Sequence, residues 1–192
     1  MSKDIYHHGN LKNALIEEGI EMINMEGENS LSMRKLAARC GVTQAAPYSH
    51  FANKEALVNS IQEYIDDQLM EVLEAATGDY EPGDYEAIVS FGENYIKFFI
   101  EHPSYYRFLF TSKYLKIRLT VTDFELQYPP FALFKKYAFA TFNRYEFPKD
   151  SYIYKLTNMW GTIQGITQLA TSENVIYAGN WKRDLKRILN NE

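Results

Sequence analysis

Three residues suited to capping helix amino termini, Ser32, Thr43 and Asn53, fall close together with Gly41 among them, a spacing that allows only short helices joined by tight turns. Ser32 opens a helix through Cys40 with Met33, Leu36, Ala37 and Cys40 on one face, and Gly41 breaks it. Thr43 opens a second helix running to Phe51, and Asn53 opens a third at Lys54-Glu55-Ala56-Leu57. Upstream, Asn10 is placed to cap an amphipathic helix in which Leu11, Leu15, Gly19 and Ile23 recur every fourth residue. That helix should end near Glu26-Gly27, where glycine can take the left-handed conformation that closes a helix. Pro47 lies early in the Thr43 helix. It lacks the amide that would bond to Thr43 and biases Ala46 away from helix, so a tight or distorted first turn is expected.

A short helix, a glycine turn and a second short helix form the helix-turn-helix plan, which places the start of its second helix in the major groove of DNA. The residues fit that chemistry. Gln44 can pair both amide atoms with adenine, Thr43 and Ala45 can touch a thymine methyl, and Tyr48 can donate to a phosphate oxygen. Lys54 stands at a helix start, where the macrodipole already favours an anion. A plainer reading stands beside each: Tyr48 as packing, Thr43, Gln44 and Ser49 as capping groups, Lys54-Glu55 as a solvated helix start, and Phe51 as core. The formal net charge of −5 opposes a nucleic-acid partner, so the DNA reading depends on placement. In the first 60 residues most of the acids fall between Glu17 and Glu28, with Asp4 and Glu55 outside, whereas Arg34, Lys35, Arg39 and Lys54 flank the turn.

The helix from Lys54 continues through Ile61, Ile65, Leu69 and Leu73 to Ala76, before a breaker-rich stretch from Thr77 to Asp84. Helical periodicity resumes from Tyr85 to Glu101, from Ser104 to Thr111 with Pro103 in the first turn, from Pro129 to about Tyr145, from Ser151 to about Glu173, and from Trp181 to Asn190. Between Lys113 and Gln127 the pattern fails: Leu115, Ile117, Leu119 and Val121 alternate like a strand with no partner, and a short helix or irregular segment is expected. The expected fold is all-α, with a three-helix DNA-binding domain over residues 1–58 and a helical bundle over 59–192.

The second region holds most of the aromatic residues. Such rings can simply fill a core, or some can line a pocket for an apolar or aromatic molecule, with a few polar tips to orient it. The candidate lining is Phe91, Tyr95, Phe98, Phe108, Phe134, Tyr137, Trp160 and Gln164.

Other chemistries find little support. No nucleophile elbow, phosphate-binding glycine loop or metal-spaced cluster is visible, so an enzyme is the weakest reading and no cofactor is expected. His7 and His8 are adjacent and cannot share a helical face, which argues against a metal site. The single cysteine, Cys40, suits a small buried side chain in a reducing compartment. No apolar run approaches the roughly 20 residues that span a bilayer, and Met1-Ser2-Lys3-Asp4 does not lead into a signal core, so the cytoplasm is the expected location and no membrane is an expected partner.

Two blocks, Tyr6-His7-His8-Gly9-Asn10-Leu11-Lys12 and Gly41 to Leu57 (GVTQAAPYSHFANKEAL), closely resemble the DNA-binding domain of TetR-family regulators over about residues 6 to 58. The resemblance implies that Thr43, Gln44, Ala45 and Ser49 face the groove and that Tyr48, His50 and Lys54 hold phosphates; Arg34, by its place beside the turn, is a further candidate contact. It also implies a homodimer formed through the last two long helices, Ser151 to Ser172 and Trp181 to Leu189, and a small-molecule effector that releases double-stranded operator DNA. Trp160-Gly161-Thr162-Ile163-Gln164-Gly165 is similar to the Trp-x-x-x-His-Gly signature of one TetR subfamily, with Gln164 in place of the histidine, so a role of that histidine does not carry over. The function implied is ligand-responsive repression; the same fold acting as an activator, or as an adaptor without DNA binding, is the alternative.

Overall fold

A computed structural model describes residues 11–111, 115–122 and 128–190, and the regular structure among them is entirely helical. Eight α-helices follow in order: α1 (Leu11–Glu26), α2 (Met33–Arg39), α3 (Lys54–Thr77), α4 (Tyr85–Glu101), α5 (Pro103–Thr111), α6 (Pro129–Arg144), α7 (Tyr152–Thr171) and α8 (Trp181–Asn190). The Asn10 cap and the Tyr6-His7-His8-Gly9 part of the first block lie outside the described residues. The described part of the ambiguous stretch, 115–122, is neither helix nor strand.

The chain packs as two compact units whose division falls within α3. One takes the described residues up to Ile65 and the end of α5 from Arg107; the other runs from Asp66 to Tyr106 and resumes with the described residues from 115 onward.

In the first unit the local signals act as the residues dictate. Ser32 is extended and its hydroxyl oxygen accepts the Lys35 amide at 3.2 Å, satisfying one donor at the start of α2. At the other end the Gly41 amide bonds to the Ala38 carbonyl and the Val42 amide to the Ala37 carbonyl, a Schellman closure that requires the positive φ of 69° at Gly41. Gly27 closes α1 at φ 83°. Asn53 caps α3, its side-chain oxygen accepting the Ala56 amide at 2.9 Å. Gly19 admits Ile61, whose Cδ1 lies 3.0 Å from where a β-carbon would stand. Leu15, Ile20, Leu36, Phe51, Leu57 and Ile61 form the core of this unit, each at most 2% exposed.

One expectation is corrected. The segment from Thr43 to Phe51 is not an α-helix capped by Thr43; it is a pair of turns enclosing a 3-10 helix, Ala46–Ser49, for which Ala45 holds the cap position without a side-chain bond. Pro47 is the cause, because its nitrogen has no hydrogen to give Thr43, and the bonds available are the tighter ones from Ala46 to Thr43 and from Tyr48 to Ala45. A smaller difference of the same kind precedes α7, where Lys149–Ser151 forms a 3-10 turn after Pro148 and the α-helix starts at Tyr152.

In the second unit α4 packs against α6, α7 and α8. Gly92 lets them come close: Leu189 of α8 stands 3.1 Å and Ile163 of α7 3.4 Å from the position a β-carbon would take. Trp160 of α7 lies edge-on to Tyr95 and Phe131 and tilted against Phe134, at ring separations of 5.0 to 5.4 Å. Lys182 and Lys186 of α8 pair with Glu101 and Glu86 of α4.

Candidate nucleic-acid interface

The turn that follows α2 is anchored from beneath and displayed from above. Pro47 and Phe51 point into the core, and the residues between and around them, Thr43, Gln44, Ala45, Tyr48, Ser49 and His50, are exposed. A backbone this tightly turned cannot bury every side chain, and here apolar groups go in while polar groups stay in water. Tyr48 is 57% exposed. The His50 ring is tilted on Phe51 at 6.2 Å. Leu11, Gly41, Val42, Thr43, Ala46, Ser49 and His50 line a surface depression of about 450 Å³ beside it.

All eight sequence-predicted contact residues belong to this one unit. Arg34 is exposed on α2, and Lys54, half-buried, is the first residue of α3, whose opening turn favours an anion. Ser49 is partly committed: its hydroxyl donates to the Ala46 carbonyl at 2.7 Å, so toward another molecule it offers an acceptor.

The other cations near the turn are held from behind. Arg39 pairs with Glu18 and, at 3.2 Å, with Glu26, and Lys35 lies 3.7 Å from Glu26. The acids of α1 that count against DNA in the overall charge are thus partly neutralised within the unit, and Glu17 accepts a hydrogen bond from Tyr64 at 2.8 Å. Sequence reasoning missed these pairs because their members are far apart in the chain. Cys40 lies in the same packing. Burial and the nearby Glu18 carboxylate push its thiol up to about 11 against the opposing pull of Arg39, which leaves little thiolate for redox chemistry at neutral pH.

The candidate pocket residues divide. Phe91, Tyr95, Phe134, Trp160 and Gln164 come together, with Phe91 stacked on Tyr95 at 6.0 Å and tilted against Phe134 at 5.3 Å. Gln164 donates from its side-chain amide to the Tyr95 hydroxyl at 2.8 Å, and the Tyr106 hydroxyl approaches the Gln164 side-chain oxygen at 3.4 Å. Burial holds the Tyr95 phenol well above its ordinary pKa, with hydrogen bonds from Gln164 and Tyr128 acting against that rise, and burial pushes Tyr106 up to about 12. Both phenols stay neutral. Phe98 is set among Phe99, His102 and Tyr105, and Tyr137 donates to the Thr77 carbonyl at 3.1 Å. Phe108 belongs to the first unit. The candidate lining leaves out Tyr106, Tyr128 and Asp66, which act on Tyr95, Tyr128 through a hydrogen bond and the other two through charge. The signal for Asp66 was present: a carboxylate three residues before Leu69 and seven before Leu73, on the apolar stripe of α3.

Among the described residues no group of three or more His, Cys, Asp or Glu could hold a metal ion, and no helix is long and apolar enough to cross a membrane. His7 and His8 lie outside the described residues.

Residues 15–61 match the family model of bacterial regulatory proteins, tetR family. Over that stretch the chain resembles the TetR family. The tetracycline repressor protein class G of Vibrio anguillarum is 46% identical over 52 residues, which are 27% of this chain and 25% of that repressor. The chain thus spans about a quarter of the length of the curated relatives it matches. Solved structures carry the likeness further as fold. A TetR-family transcriptional regulator from Bordetella parapertussis 12822 matches with a TM-score of 0.70 at 14% identity, over 95% of this chain and 94% of that one. A TetR-like transcriptional regulator from Rhodococcus sp. RHA1 matches with a TM-score of 0.66 at 12% identity, over 94% of each chain. The likeness in fold therefore extends over most of the chain, while the family model matches residues 15–61.

Proposed function

We propose that this chain is a TetR-family transcriptional repressor that binds a near-palindromic operator as a homodimer and releases it when a small apolar or aromatic effector binds. The observation that carries this reading is the exposed turn: Thr43, Gln44, Ala45 and Tyr48 stand outside a buried Pro47 and Phe51, beside the anion-favouring start of α3. Gln44 and the methyl groups of Thr43 and Ala45 read base edges, Tyr48 and Lys54 hold phosphates, and Arg34 and His50 add contacts at the margin. In a two-fold dimer such turns occupy successive major grooves about 34 Å apart. The exposed pairs of Arg39 and Lys35 are of a kind worth about 0–1 kcal/mol, so a phosphate can compete for either cation at small cost.

The effector belongs among Phe91, Tyr95, Phe134, Trp160 and Gln164, where rings supply contact area and the amide supplies orientation. It releases DNA only to the extent that it binds the non-binding conformation more tightly, and α3, whose residues belong to both units, is the element through which that preference is transmitted. A gel shift with the DNA upstream of the coding region, at two salt concentrations, tests the DNA half. Binding that weakens as salt rises supports it, whereas no shift even at low salt leaves the fold acting as an adaptor. Identical operator affinity with and without a panel of aromatic compounds contradicts the sensing half.

A further inference from the structure

We infer that the loop joining α7 to α8, led by Ile176, seats in an apolar cleft on the second unit of another copy of this chain and so fixes the register of the dimer. The inference rests on the homodimer reading above and adds to it a specific anchor. Ile176 is 97% exposed and Val175 is 36% exposed, a pair of β-branched side chains held in water by a short loop. One exposed apolar side chain needs no explanation by itself; its receptor is what gives it meaning. The same unit carries a cleft of about 450 Å³ walled by Tyr85, Phe142, Tyr145, Phe147 and Met159, with Lys155 at its edge, large enough for both side chains. Tyr145 and Tyr85 are themselves 56% and 43% exposed.

Loop and cleft lie at opposite ends of α7, and the helix between them has an unusual outer face. Tyr154, Asn158, Gly161, Thr162, Gly165 and Leu169 are exposed at helical spacing, and Lys155 is the sole charged residue in the helix. Among the described residues, no atom beyond the local backbone of α7 and the adjoining residues stands within 4 Å of where a β-carbon would be at Gly161 or Gly165. If two copies of α7 cross antiparallel about the midpoint of these glycines, residue 163, Lys155 lies eight positions before the centre and Thr171 eight after, each about 12 Å away at the helical rise. The carboxyl end of one α7 then meets Lys155 of the other, and the loop beyond it overlies Tyr145 and Phe147. The charges agree with that register. Glu173 in the loop arrives beside Lys155, whose ammonium sits 3.8 Å over the Phe147 ring, and the negative end of the α7 dipole points the same way. Two-fold symmetry makes the contact twice.

Sedimentation of the full chain over a range of concentrations tests this. Ile176→Asp raises the dimer dissociation constant about 100-fold, since two apolar contacts are lost per dimer, with no change in thermal unfolding of the isolated chain because Ile176 touches little within it. Lys155→Glu and Glu173→Lys each weaken the dimer, and the two together restore it. If Ile176→Asp leaves dissociation unchanged, or the charge exchange fails to restore it, while Gly161→Leu with Gly165→Leu separates the copies, the chain dimerises through α7 with the cleft empty and the inference is overturned. A wild-type chain that sediments as a monomer at every concentration removes the homodimer reading itself.

Discussion

The two units treat polar side chains in opposite ways. In the first, Thr43, Gln44, Tyr48, His50 and Arg34 stay in water above a buried Pro47 and Phe51. In the second, Tyr95 is fully buried and Gln164 and Tyr106 are engaged with it or with each other. A polar group left in water costs nothing to keep and is ready to exchange its solvent for another molecule. Once buried it must be bonded, or the chain bears a desolvation cost of about 1–3 kcal/mol. The first arrangement suits the surface proposed to grip a charged polymer, and the second suits an interior proposed to answer to a small apolar or aromatic ligand.

Substitutions that respect or violate this contrast should separate by size. Trp160→Ala removes a ring packed on Tyr95, Phe131 and Phe134, and urea unfolding should show a loss of about 3–5 kcal/mol. Tyr95→Phe takes away the acceptor of the Gln164 amide and should cost about 1–3 kcal/mol in the same assay, with Gln164→Leu in the Tyr95→Phe background recovering part of it. Asn53→Ala deletes the α3 cap and should cost about 1 kcal/mol. Gln44→Ala, on the exposed turn, should change stability by less than about 0.5 kcal/mol while relaxing base preference in a binding-site selection. Were Gln44→Ala to destabilise the chain as much as Trp160→Ala, the distinction between a displayed surface and a packed interior would be lost.

What was legible in the sequence follows the same line. Local signals were readable because their physics is local: Ser32 and Asn53 cap the helices expected of them, Gly27 and Gly41 close theirs, and α4 and α8 keep the limits set by periodicity and by Pro103 and Trp181. Pro47 announces a distortion of the first turn, and in the structure that distortion extends further. In so short a segment one missing amide bond is a large share of the total, and the whole of Ala46–Ser49 tightened into a 3-10 turn. Features made by distant residues were hidden. Nothing in Arg39 reveals that Glu18 and Glu26 will hold it, nor in Gln164 that its amide will reach Tyr95 on another helix. The aromatic density gave the chemistry of the second unit without its map: Tyr95, Trp160 and Gln164 gathered, whereas Phe108 went to the first unit.

In the proposed function the turn after Gly41 enters duplex DNA while Tyr48 and Lys54 hold its backbone. The most direct measurement is the operator affinity, by fluorescence anisotropy, of a chain carrying Tyr48→Ala and Lys54→Ala, compared with the parent at matched salt and with unfolding curves for both. Loss of two phosphate contacts per subunit should lower affinity about 100-fold or more and flatten the salt dependence. A folded variant that holds the same duplex as tightly as the parent, with the same salt slope, contradicts the account.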